Sequence, residues 1–200
     1  MRRLVSLSRF ARDESGSLSM EAVLMVPLLL WVILGTLVYF QAFHAQSLNV
    51  KVTYTIGDIL SREDAPITPK YVDSMYALQG AMTGSSEPRK LRITAVTYRA
   101  SDKTYRMVWS QVRGTGVTAH TNSSLAQIAN ASLPVMADGQ VTILTETWLD
   151  HTPLFTNWMG LIRPRTFYEI MPTRPRAPQF CWNSSDNPAT WTQANTICNA

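Results

Sequence analysis

Gly16-Ser17-Leu18-Ser19-Met20-Glu21 leads into Ala22 through Phe43, a run of about 22 residues without one charged side chain. At a helical rise of about 1.5 Å per residue the run spans roughly 33 Å, enough to cross a hydrocarbon core of about 30 Å. It has no polar face, which fits a membrane helix better than the core helix of a soluble domain. Glu21 stands at the lip of the span, where an ionisable group is interfacial; within a span it is costly and by default functional. Pro27 falls about three turns in and removes a backbone N–H, so a bend is expected there. Tyr39, Phe40 and Phe43 suit the outer interfacial belt.

On the N-terminal side, residues 1–15 carry Arg2, Arg3, Arg9 and Arg12 against Asp13 and Glu14. Arginines ahead of an apolar span place the N-terminus in the cytoplasm and everything beyond Phe43 on the opposite side. An ordinary secretory signal peptide is disfavoured, because the apolar run is too long and no small-x-small cleavage site follows it. On the C-terminal side, Leu48, Val52, Ile56, Ile59 and Leu60 recur at steps of three and four. Gln46, Asn49, Lys51, Thr53, Asp58 and Arg62 fill the other positions, so the helix is expected to continue with one apolar stripe to about Arg62. Asp64-Ala65-Pro66 ends it.

Thr68-Pro69 opens a second helix with Tyr71, Met75, Leu78 and Met82 on one face and Gly80 and Gly84 closing it. Residues 91–98 and 105–112 alternate apolar and polar around a turn at Ser101-Asp102-Lys103, and predict a hairpin with one buried face. A short capped helix follows from Asn122 to Ala129. Two more strands are expected at 140–149 and 165–171, joined by an aromatic loop or helical turn at 151–164. Beyond Pro172 the tail is expected to be extended. The architecture is therefore α+β, with about four antiparallel strands facing one long helix. Its expected segments are a leader 1–16, a helix 17–62 containing the span 22–43, a domain 63–176 and a tail 177–200.

Of the net charge of +4, the dense part is the +2 of residues 1–16; the +3 beyond Phe43 is spread over about 157 residues, which argues against a nucleic-acid partner. Cys181 and Cys198 lie on the side that is oxidising, which favours a disulfide over two unrelated thiols. Little points to catalysis. His44, His120 and His151 stand alone in sequence, without a second ligand at metal-binding spacing. Asp150-His151 has no nucleophile motif beside it, and neighbours on a strand face opposite ways. Gly114-x-Gly116 lacks the context of a nucleotide loop and is expected to be a turn. Three Asn-x-Ser sequons, at Asn122, Asn130 and Asn183, arise readily in a chain this rich in Ser, Thr and Asn. Trp109, Trp148, Trp158, Trp182 and Trp191 are assigned mainly to buried strand faces and to packing around the cysteines.

A basic leader ending in glycine, four residues, a glutamate and an unbroken apolar helix resembles the type IV pilin layout. Gly16, Glu21 and Pro27 in that register resemble, more narrowly, the TadE-like family of pseudopilins and assembly proteins of the bacterial tight-adherence (Tad) pilus. Val141–Leu149 with Thr152-Pro153-Leu154-Phe155, and Thr166–Met171 with Arg174-Pro175-Arg176, are similar to that family's later strands and tail. The resemblance implies cleavage by a prepilin peptidase between Gly16 and Ser17. It implies that Glu21 answers the new α-amino group, in its own chain or a neighbour's. It implies a non-enzymatic minor pilin or assembly component without a cofactor, single-pass in the bacterial inner membrane, with a periplasmic domain and a part in adhesion. Its partners would be membrane lipid, the peptidase and other Tad pilins and assembly proteins. A single-span periplasmic receptor without processing is the alternative, and a membrane-tethered enzyme the weakest reading.

Overall fold

The computed structural model describes residues 17–84, 88–153, 163–177 and 179–198. The leader with Gly16, and most of the aromatic connection with Trp158, lie outside the described residues. Helix α1 runs Ser17–Ser61 as one element and is continuous through Pro27. The chain divides into two compact units, residues 1–41 and 42–200. Within the described residues the first unit is the opening stretch of α1. Its side chains are mostly uncovered, Met20 being 67%, Leu24 70% and Phe40 70% exposed.

The second unit is α+β. Strands β1 (Arg89–Arg99), β2 (Thr104–Arg113), β3 (Val141–His151) and β4 (Arg165–Thr173) form an antiparallel sheet in the order β2-β1-β3-β4. Helix α2 spans Pro69–Thr83, and Thr68 caps it by accepting the Tyr71 N–H at 3.3 Å. Helix α3 spans Asn122–Ser132. Alternation along the strands sends residues to two faces, and each face has its own apolar cluster. One joins Val52, Ile56 and Leu60 of α1 with Val72 and Met75 of α2, against Leu91, Ile93, Ala95, Trp109 and Ile143. The other joins Leu125 of α3 with Val96 and Leu144, flanked by Met107, Ile128 and Ile170.

Four expectations are corrected by this arrangement. The 91–112 hairpin does not bury one face only: β1 is a central strand, and Thr94, Ala95 and Val96 are all buried. The strands do not face a single helix, because α3 covers the side away from α1. Asn49 and Thr53, read as polar flank positions, are buried against the sheet. They belong there because the sheet answers them: Asn49 Nδ2 donates to the Phe167 carbonyl at 3.3 Å, and the Thr53 and Thr147 hydroxyls lie 2.5 Å apart. The face of α2 read from Tyr71, Met75, Leu78 and Met82 does pack on the core, and Val72 and Gln79 are buried beside it. Gln79 Nε2 donates to the carbonyls of Lys90 and Trp148, which draws a polar residue inward.

The tail is the fourth. It folds back, pairing β5 (Trp182–Asn183) with β6 (Thr196–Ile197), and Ile67 bridges Trp182. Phe180 and Trp182 enter the larger cluster, where Phe180 stacks on Trp109 at 5.2 Å between ring centroids.

At Gly57 α1 packs closely on the sheet. A Cβ there would lie 2.8 Å from Thr173 Oγ1 and 3.4 Å from Met171 Sδ. Thr173 is short and β-branched, so it has little room to yield. Gly57→Val is expected to destabilise the unit by about 1–3 kcal/mol through overpacking, read as a lower urea midpoint at unchanged slope.

Candidate functional site

Two places in the chain gather functional residues. The first is the start of α1. Glu21 is exposed in its second turn, and apolar side chains from Met20 to Phe43 surround it and follow it, largely uncovered. Among the described residues α1 is the one helix long and apolar enough to cross a membrane. Ser17 opens the helix and Pro27 lies inside it.

The second place was not foreseen. Glu146, in the middle of β3, is fully buried, and four side-chain bonds converge on its carboxylate. Arg92 of β1 donates twice from one guanidinium edge, Nε to Oε2 at 2.6 Å and Nη2 to Oε1 at 2.5 Å. The Tyr168 hydroxyl of β4 donates to Oε1 at 2.8 Å, and His120 Nε2 lies 2.9 Å from Oε2. A carboxylate has no proton to give, so Nε2 carries the shared one. Arg92 also donates to the Thr118 carbonyl at 3.0 Å and stacks over Trp148, which packs on Tyr168. Ser110 Oγ receives the His120 N–H at 3.0 Å and meets Thr94 Oγ1 at 2.9 Å. Five segments, the strands β1 to β4 and the 114–121 loop, are thus joined around one anion.

Ser124 Oγ lies 2.9 Å from His120 Nδ1, so hydroxyl, imidazole and carboxylate stand in the order of a proton relay. The hydroxyl has another employment. Ser124 Oγ receives the Thr121 N–H at 2.9 Å while Thr121 Oγ1 receives the Ser124 N–H at 3.2 Å, a reciprocal cap on α3. The acid end is neutralised by Arg92. What this arrangement does chemically is hold the loop and α3 onto the sheet.

Burial alone would push the Glu146 carboxyl up. Hydrogen bonds from His120 and Arg92, the Arg92 charge and the Tyr168 hydroxyl outweigh it and hold the group below its ordinary value of 4.5. The Tyr168 hydroxyl is pushed up, by burial first and then by the Glu146 charge, so it stays a donor. As pH falls the unfolded chain takes up the Glu146 proton before the folded chain does. The carboxylate's stabilising contribution is therefore complete above about pH 4.5 and is lost as pH falls through the lower folded value. Thermal midpoints of the wild type and Glu146→Gln, followed from pH 7 to pH 3, should converge toward the acid end; a constant gap would contradict the assignment.

Cys181 and Cys198 are joined in a disulfide. Within its loop Asn183 Nδ2 donates to Asn195 Oδ1 at 3.1 Å and to Thr196 Oγ1 at 2.5 Å, and Trp191 Nε1 donates to the Ser185 carbonyl at 3.0 Å. His44 is exposed on α1, and the structure keeps the three histidines apart in role. Asp150 accepts the Thr166 hydroxyl at 2.6 Å, and its neighbour His151 packs near Phe167 at 6.0 Å. Gly114 and Gly116 both adopt positive φ, as turn residues do. Among the described residues no group of three His, Cys, Asp or Glu could hold a metal ion.

The pairing of His120 with Glu146 has no sequence pattern, because Arg92, His120, Glu146 and Tyr168 lie on four separate segments with no common spacing. One signal was available. Val141–Leu149 is nearly continuous in apolar and threonine residues, the pattern of a strand covered on both faces, and Glu146 is its one acid. No protein-family model, known protein or solved structure matches the chain.

Proposed function

We propose that this chain is a non-catalytic, pilin-like subunit of the TadE-like type. It is anchored by residues 22–43 in a bacterial inner membrane, with its α+β unit on the periplasmic side, and acts in the biogenesis of a Tad-type pilus. One observation carries the reading. Gly16, Glu21 and Pro27 stand in pilin register at the head of an uncovered apolar helix that continues as one element to Ser61, where it forms part of an α+β core.

The physical logic runs from Glu21. Cleavage after Gly16 would leave a Ser17 ammonium four residues before that carboxylate. At the edge of a membrane each charge is expensive alone, and each lowers the cost of the other. If the acceptor is the Ser17 ammonium of a neighbouring chain, the same attraction places subunits side by side. The apolar flanks, largely uncovered among the described residues, are then available to lipid before assembly and to other helices after it.

N-terminal sequencing of protein from cells with and without the prepilin peptidase tests this directly. A start at Ser17 that depends on the peptidase is expected. An intact Met1 in both strains would sink the processing step. Glu21→Ala should leave cleavage intact and lower recovery in sheared or co-purified assemblies at least about tenfold, as loss of one member of a desolvated charge pair does. Indifference to both changes would favour a single-span receptor instead.

A further inference from the structure

We propose that one end of the sheet is a binding surface for anionic lipid headgroups, placed by the fold at the foot of α1. The proposal rests on the bitopic reading above and adds a second contact with the membrane.

The order of contacts along α1 settles which end this is. Asn49 bonds the Phe167 carbonyl, Thr53 meets Thr147, Gly57 packs on Thr173, and Ser61 accepts the Arg176 N–H at 2.8 Å. As α1 advances it therefore travels from the start of β4 towards its end. In register, His151 pairs with Arg165, Arg89 with Leu149 and Leu91 with Arg113. The end of the sheet that carries these pairs is the one beside residues 43–49.

That end is cationic. Arg89, Lys90, Arg113 and Arg165 gather there, with Arg163 two residues ahead of Arg165 in the chain, against Asp73 and Asp150 among the described residues. Arg113 is paired with Asp73, and the Arg89 guanidinium lies 4.5 Å over the Tyr76 ring. Asp150 accepts from Thr166. Lys90, Arg163 and Arg165 form no ion pair among the described residues, and both arginines are exposed.

The heights agree. Phe43 precedes Asn49 by six residues, about 9 Å along a helix. Arg165 precedes Phe167 by two residues, about 7 Å along a strand in the returning direction. Arg165 thus falls within a few ångströms of the level of Phe43 along α1, the residue at which the apolar run ends. Basic side chains near the end of an apolar span are within reach of the negative potential of anionic lipid.

The full chain, reconstituted in nanodiscs with its disulfide intact, tests this. A fluorophore is attached at Thr152→Cys, at the basic end, or at Ser101→Cys in the β1–β2 turn at the opposite end, and quenched by a nitroxide in the lipid headgroup region. In discs with about one third phosphatidylglycerol, quenching at 152 should be at least about twice that at 101. It should fall to the level at 101 in about 0.5 M salt, and in the Arg163→Glu/Arg165→Glu variant checked for its native circular dichroism. Equal quenching at the two positions, or quenching indifferent to salt and to both arginines, would overturn the proposal. Carbonate extraction of the same preparations separates the two failures. A chain released by carbonate refutes the bitopic reading, whereas a retained chain with equal quenching refutes only the headgroup surface.

Discussion

Glu146→Ala is expected to lower the stability of the α+β unit by about 3–5 kcal/mol at pH 7, the cost of stranding a buried charge without its partner. Arg92 would keep its positive charge in the sheet with no anion beside it, and His120 and Tyr168 would each lose an acceptor. On the scale of a domain this size, the thermal midpoint should drop by about 10 °C or more. Thermal unfolding followed by far-UV circular dichroism measures it. A second variant separates the charge from the packing. Arg92→Met/Glu146→Leu removes both ions and refills the space, and its loss should be smaller than the sum of the two single losses. A drop under about 1 kcal/mol for Glu146→Ala would mean that solvent reaches the cluster and that the carboxylate is not the tie described.

The second large effect belongs to the returning tail. Phe180 is 1% exposed and stacks on Trp109, so Phe180→Ala should cost about 3–5 kcal/mol. The neighbouring Cys181–Cys198 bond closes a loop of 17 residues, worth about 3 kcal/mol by restricting the unfolded chain. Denaturant titrations with and without reductant distinguish the contributions. Reductant should lower the midpoint of the wild type and leave Cys181→Ser/Cys198→Ser unchanged. Trp109 fluorescence reports on the same event, because Phe180 and Trp182 both lie against its ring. If Phe180→Ala left the midpoint where it was, the tail would be an appendage and not a part of the core.

What the sequence could and could not convey follows from the range of the forces. The α1 run was legible because an uncharged stretch of that length has few alternatives, and strand alternation plus turn residues located all four long strands. The side on which each strand was covered was less legible. Asn49 and Thr53 looked like solvent positions, and only a partner more than ninety residues away makes them core positions. The same holds for Gln79. The Glu146 cluster was illegible for a related reason: its bonds span separations of 22 to 54 residues, so no local pattern encodes them. At the start of α1 the reverse is true. Gly16, Glu21 and Pro27 lie within twelve consecutive residues, and the sequence holds nearly everything that can be said of them.

The fold-back of the tail has a consequence for biogenesis. Ile67, whose N–H donates to the Cys181 carbonyl and whose carbonyl accepts the Asn183 N–H, waits more than a hundred residues for both partners. During synthesis the four long strands can all be present while the side of Trp109 that faces Phe180 and Trp182 is still open. The nascent domain therefore passes through a stage with a complete sheet and an unfinished core, sticky until the final segment arrives and its cysteines are oxidised. Closure of the tail and oxidation of its cysteines are in this sense the last steps of folding, and a chain stalled before them would carry its four long strands around an open core.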